Sequence, residues 1–364
     1  MSHVTAVMVI DAPASALNNA GKDEEARTEN AVAVKFIRTP EGRYPYVSAQ
    51  AVRYWLRTML ATTPGWSSSP VFRESKVAYT DAEPTRYAED DLFGYMRAAS
   101  KSKDEKKAAK RAEIAAASTP VDEAVGEVTR VSPLRVGTLV AIVPSRRMVQ
   151  DFGTMARADG DPVPHEHQFY RAHLKAPVAV DLTCAGTFFV SQRVGFKNLD
   201  SARVESAKKE GATEAKVRGL NAWRLPLSKR QNRVATVLRA LGKLEGGAKQ
   251  TLHLTDTAPS ILMLAVCKSG NQPFLRVIGE GDEATVFRDD VLEEALRVFK
   301  DDLQSDLYIG WAKGFLDAER KKLEDMLTKP ERLHGRTVHV GHPREMAEAF
   351  ARALEAEGSA PWFE

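Results

Sequence analysis

Residues 42–57 read GRYPYVSAQAVRYWLR, and the change of period inside this stretch decides the fold class. Ahead of it, AVAVKFI at 31–37 is an extended, β-branched run, and the two prolines of PEGRYP mark a turn. From Ser48 onward the apolar residues Val52, Leu56, Met59 and Leu60 recur at helical spacing. Ser48 stands where an N-cap belongs, because its hydroxyl can accept a hydrogen bond from a first-turn N–H. Gln50, Arg53 and Arg57 fall on the polar face. A strand, a turn and an amphipathic helix therefore follow one another.

The same alternation extends in both directions. VTAVMVI at 4–10 reads as a strand buried on both sides and leads into the loop SALNNAGKDEE. Pro, Gly and Ser from Thr62 to Pro70 end the helix, and DLFGYM follows at 91–96. The Lys, Glu and Ala run between Ser100 and Ala117 lacks apolar periodicity and reads as a peripheral helix or disordered insertion. Leu139 to Val143 is a strand, Gly153 to Pro164 a loop, and 165–175, 178–183 and 186–190 are extended. KRQNRVATVLRALGKL at 229–244 is a second amphipathic helix, closed by Gly246 and Gly247, and ILMLAVC at 261–267 is strand-sized. DVLEEALRVF, GWAKGFLDAERKKLEDML and PREMAEAFARALEAE supply three more helices. The class is α+β.

A chain of 364 residues buries roughly 75% of its extended surface and needs no disulfide or metal to fold. Cys184 and Cys267 provide neither a disulfide framework nor a four-thiolate site. With no signal-like start and no run of about 18 apolar residues, a cytoplasmic location without membrane contact is expected. The formal charge of +3 excludes histone-like tails and strongly acidic disordered chains. It conceals an asymmetry: residues 193–233 hold 11 basic and 4 acidic side chains, net +7, whereas 280–331 hold 8 and 15, net −7. One region could meet a polyanion; two solvated faces are the plain alternative.

Few residues point to catalysis. In an extended segment His165 and His167 share a face from which Glu166 turns away, and His173 is nearby, but the spacing is not that of HExxH. No metal site is assigned. A phosphate loop starting at Gly242 would need lysine at 248 and Ser or Thr at 249, where this chain has Ala248 and Lys249. There is no G-x-S-x-G element. Asp11 and Asp23 are the carboxylates available for metal-assisted strand cleavage, although each also suits a cap, turn or surface position. Residues 30–57 are the most informative: Lys35, Arg38 and Arg43, then Tyr44 and Tyr46, beside Gln50, Arg53 and Arg57. Cations, aromatic surfaces and hydrogen-bonding groups at one helix start suit single-stranded nucleic acid. The competing reading puts Tyr46 and Trp55 in the core with Arg53 and Arg57 lying over them.

NNAG at 18–21, GRYPYVSAQAVRYWLR, DLFGYM, TRVSPLRVGTLVAI at 129–142, HEHQFYRAHLKAPVAVDLTCAGTFF at 165–189 and GGAKQTLHLTDTAP at 246–259 together resemble the DevR-like major backbone subunit of type I CRISPR surveillance complexes. The resemblance covers much of residues 1–278. It implies a modified RNA-recognition-motif palm, ferredoxin-like, with finger, web and thumb-like insertions. Strands near 4–10, 136–143 and 261–267 and helices at 48–60 and 229–242 would build the palm. Insertions would occupy about 62–128 and 144–228, with a thumb-like hairpin within 66–88, and a mainly helical region would follow from 279 to 364.

The resemblance further implies a noncatalytic scaffold without cofactor that polymerises along CRISPR guide RNA. Its partners would be that RNA, target DNA through guide pairing, neighbouring copies of itself and other surveillance-complex subunits. Asn18 and Asn19 would lie close to RNA, and Ser48, Gln50, Arg53 and Arg57 would grip phosphate and ribose. Lys35, Arg43 and Arg130 follow as contacts, Gly246, Gly247, Ala248 and Lys249 as the glycine-rich loop at the guide backbone, and His165, Tyr170 and Arg171 as further candidates. Two alternatives stay open: a target-RNA-cleaving subunit using Asp11 or Asp23, and a host regulatory RNA-binding protein outside interference.

Overall fold

The computed structural model describes residues 1–22, 30–74, 77–99, 108–145, 148–155 and 160–364. Among them, twelve strands join one sheet. Its principal members are β1 (His3–Ser15), β2 (Phe36–Thr39), β3 (Gly42–Val47), β4 (Leu139–Ala141), β5 (Val163–Asp181), β6 (Ile261–Cys267), β7 (Leu307–Trp311) and β8 (Val338–Gly341). In space they run β8-β7-β6-β1-β5-β4-β3-β2. β1 is antiparallel to β5, from His3 opposite Asp181 to Ala12 opposite Ala172, and antiparallel to β6, from His3 opposite Cys267 to Val9 opposite Ile261. Only the β7–β8 pair of this path is parallel.

β1 needs apolar residues on both sides because each face of the sheet is covered. Val4, Ala6, Met8 and Ile10 pack with α1 (Ala49–Ala61) and α2 (Leu227–Leu241). Val7 and Val9 face a second core containing α3 (Asp289–Val298) and α4 (Asp317–Leu327). α5 (Pro343–Glu355) returns to the first side through Ala347, Phe350 and Leu354. Uninterrupted apolar sequence is what a doubly covered strand requires.

The five amphipathic helices read from the sequence are present, four to within a few residues and the middle C-terminal one starting only at Asp317. The helices Ala88–Phe93 and Ser201–Lys209 were not expected, and the strands are more continuous than read. β5 is one strand of 19 residues where shorter pieces are expected. The C-terminal region holds its three expected helices and also adds β7 and β8 to the sheet. β7 takes the Gly310-Trp311 start of the expected middle helix, because LYIGW is too short for its apolar pattern to distinguish helix from strand. Residues 108–117 form a helix, and the preceding part of the Lys-rich run lies outside the described residues.

Smaller units hang from the sheet: a hairpin of Val71–Glu74 with Val77–Thr80, a pair of Tyr95–Ala98 with Glu127–Arg130, and a three-stranded sheet built from Thr187–Phe189, Thr213–Val217 and Leu220–Arg224. Buried arginines tie them together. Arg203 is fully buried and donates to Asp200, Ala82 O, Asp81 O and Thr119 O. Arg233 bridges Asp91 and the carbonyls of Pro84 and Thr85. Arg218 pairs with Asp181 at 2.9 Å and Lys229 with Glu210 at 2.7 Å. The basic segment 193–233 therefore serves largely as internal cement rather than as a free polyanion surface. Some of its cations pair with carboxylates inside the segment, Arg203 with Asp200 and Lys229 with Glu210. Others pair with carboxylates outside it, Arg233 with Asp91, Arg218 with Asp181 and Arg224 with Glu364, which a sum along the chain cannot register.

Candidate nucleic-acid interface

Ser48 is extended, with φ −62° and ψ 145°, and its Oγ accepts from the Ala51 N–H at 3.3 Å, which starts α1. Val52, Trp55, Leu56 and Leu60 turn inward, leaving Gln50, Tyr54 and Thr58 exposed on one helical face. The loop after α2 lies against this helix. A Cβ at Gly246 would stand 2.2 Å from the Trp55 Cγ, so the backbone rests directly on the indole. Gly247 has φ +105°, and a Cβ there would meet Leu17 at 2.5 Å. The Ala248 N–H donates to Leu17 O at 3.0 Å. The result is a cleft of about 400 Å³ lined by Asn18, Asn19, Tyr54, Thr58 and Glu245 to Ala248. Asn18 belongs to its wall, and Asn18 Nδ2 is shielded from water and unpaired among the described residues.

A second hollow of about 500 Å³ adjoins the first through Asn19 and Ala20, and the Lys35 N–H reaches Asn18 O at 3.4 Å. Lys22, Lys35, Arg38 and Arg43 line it, and the described residues of its wall include no carboxylate. Arg38 stands opposite Arg43 across β2 and β3, and both guanidiniums lie over Phe36, at 5.8 and 4.9 Å from the ring centre. The arrangement supplies positive charge for a backbone, with donors, acceptors and a Tyr face alongside.

The remaining sequence candidates occupy different surroundings. Arg53 donates to Leu134 O and Phe93 O, each at 2.7 Å, and to Ser132 Oγ, bracing α1 against the neighbouring loops. Burial, followed by the Arg57 charge, lowers its pKa. Arg57 pairs with Glu89 at 2.8 Å and lies over Phe93. Arg130 is buried, and its donors reach Asp91, Thr187 O, Asn198 and Cys184 O. Tyr170 is buried in the first core, and burial pushes its phenol pKa up. Arg171 is exposed on β5, His165 is half-buried there, and Lys249 is half-buried in a left-handed conformation at φ 56°.

Lys22, Tyr54 and Thr58 were not among the sequence candidates. The signal for the latter two was present: Gln50, Tyr54 and Thr58 recur every four residues on the solvent face of α1. Asp11 stands 3.6 Å from His173 Nε2, and Asp23 lies outside the described residues. Among the described residues, no group of three or more His, Cys, Asp or Glu is placed to hold a metal ion, and no helix is long and apolar enough to cross a membrane.

No family model matches the sequence, and no curated protein matches it. Solved structures do. A chain of one described as "CRISPR RNA-guided surveillance complex, pre-nicking" superposes with TM-score 0.50 at 13% identity, over 97% of this chain and 99% of that one. A chain of another, described as "CRISPR RNA-guided surveillance complex", gives 0.49 at 13% identity, over 96% and 99%. At this identity the similarity to the first is one of fold, and it spans nearly the full length of both chains.

Proposed function

We propose that this chain is a noncatalytic backbone subunit of a CRISPR surveillance complex, which polymerises along guide RNA and presents it for pairing with target DNA. The observation that carries the reading is the union of the Asn18–Asn19 strip, the outer face of α1 and the 246–248 loop in one cleft, beside a hollow with four cations. Phosphates would follow Lys22, Lys35, Arg38 and Arg43, while small residues at 246–248 let the backbone approach closely. Such a surface holds RNA by shape and charge, leaving sequence to the guide's own base pairing.

The fold supports the same reading. β1, α1, β4, β5, α2 and β6 follow one another as β-α-β-β-α-β, and the four strands lie in the order β6-β1-β5-β4, which suits a ferredoxin-like palm. Residues 62–128 and, apart from β5 and the first residues of α2, the span 144–228 are then its insertions, and the 71–80 hairpin the thumb-like element. Arg53, Arg57 and Arg130 act in this scheme by positioning α1 and the insertions.

The test is to sequence RNA copurified with the native protein while measuring particle mass. Repeat-derived RNAs in a multimer are expected, and a monomer carrying unrelated RNA would overturn the reading. Complementary RNA added with a divalent metal should stay intact; periodic cuts that disappear in Asp11→Ala would make the chain a nuclease instead.

A further inference from the structure

β5 carries His165, His167, Phe169, Arg171 and His173 at alternate positions, so they follow one another along one side of the strand. At His173 that side is covered by the C-terminal region: the ring meets Phe315 with centres 4.9 Å apart, and Nδ1 lies 2.9 Å from Thr285 Oγ1. Arg171 is exposed. Beyond it, the rings of His165, His167 and Phe169 form a row with centres 6.2 and 6.3 Å apart, and the two imidazoles are parallel to within 6°. One ring approaches this row from the glycine loop: His253, 5.6 Å from His167 and 5.4 Å from Phe169. His165 Nδ1 and His253 Nε2 are shielded from water, and neither has a hydrogen-bond partner among the described residues. Leu252 and Leu254, on either side of His253, are 60% and 87% exposed.

We infer that the rings of His165, His167, Phe169 and His253 form a stacking site for an unstacked nucleobase of single-stranded RNA. The inference rests on the RNA-binding reading above and extends it to a second contact, reached along the same 246–254 loop.

Local chemistry favours a base over a phosphate. Asp151 Oδ2 lies 3.7 Å from His167 Nε2, placing negative charge beside the row. Burial, then the neighbouring His167 and Lys249, lower the pKa of His253, so its imidazole is neutral at pH 7. A neutral ring offers a π face on which a base can stack, which is how single-stranded RNA bases are commonly held. The flanking cations Lys249 and Arg171 supply charge for the adjoining phosphates.

The experiment uses the full chain and a single-stranded RNA carrying 2-aminopurine at successive positions, with anisotropy reporting affinity and fluorescence reporting stacking. Quenching at particular positions is expected, together with its loss and an affinity lower by about 5- to 100-fold in His167→Ala/His253→Ala. His167→Phe/His253→Phe should restore both, since it keeps the ring faces. Should the double alanine variant unfold, His253→Ala alone, on the loop, gives the same readout. Unchanged quenching and affinity in a folded alanine variant would overturn this site while leaving the RNA-binding reading intact. Failure of the wild-type chain to bind RNA at all would overturn both.

Discussion

Arg43 and Arg130 are both arginines of short extended segments, yet one lines an open hollow and the other is sealed inside. Sequence patterning cannot separate them, because the Asp91 and Asn198 partners of Arg130 come from 39 and 68 residues away. Arg130→Ala should lower stability by about 3–5 kcal/mol, since it removes a partner of buried Asp91 and strands several acceptors. Urea denaturation measures this; Arg43→Ala, in contrast, should leave the midpoint nearly unchanged. Glu83 gives a pH test. Buried and hydrogen-bonded by Thr85 Oγ1 at 2.7 Å, it has its pKa pushed up to about 7, chiefly by burial and against the pull of Thr85 and Arg203. The folded state therefore holds this proton more tightly than the unfolded one. Its contribution is fully present below pH 4.5 and is lost as pH rises towards about 7. Glu83→Gln should flatten that decline and, at pH 8, exceed the wild type by on the order of 1–3 kcal/mol in denaturation experiments.

Elements were more legible than contacts. Ser48 and the spacing of Val52, Leu56 and Leu60 locate the start of α1 to the residue and its end to within one, and the Pro343 helix start is equally clear. Neither reveals that Gly246 rests on Trp55, because a contact between residues 191 positions apart leaves no local pattern. The pair yields a separable test. Gly246→Ala drives a methyl into the indole, so the loop must move away from α1. Stability should fall by about 1–3 kcal/mol, and RNA affinity with it. Tyr54→Ala, on a residue 65% exposed in the same cleft, should leave thermal stability unchanged and weaken RNA binding about 5-fold or more. A filter-binding titration beside a melting curve distinguishes them; equal effects of both variants on stability would contradict this division between support and surface.

At the scale of the whole molecule, the sheet is a partition between two cores, and its doubly apolar first strand announced as much. The charge asymmetry was legible as a number but not as a surface. Segment 193–233 is drawn into pairs such as Arg203 with Asp200, Arg218 with Asp181 and Lys229 with Glu210. The open hollow instead takes its cations from Lys22, Lys35, Arg38 and Arg43, in a stretch that sequence charge alone does not single out. Salt dependence tells these two kinds of charge apart. For single strands, each phosphate neutralised contributes about 0.7 to the slope of log affinity against log salt concentration, so four contacts give a slope near −2.8. Replacing Lys35 or Arg43 by Ala should reduce its magnitude by about 0.7 each, additively while the fold is kept. Lys208, paired with Glu205 at 2.6 Å, changes the net charge by the same amount when replaced, but it should leave the slope where it was. Equal losses from Lys208→Ala and Arg43→Ala would show that RNA responds to overall charge rather than to the hollow, and would remove the hollow from the guide's path.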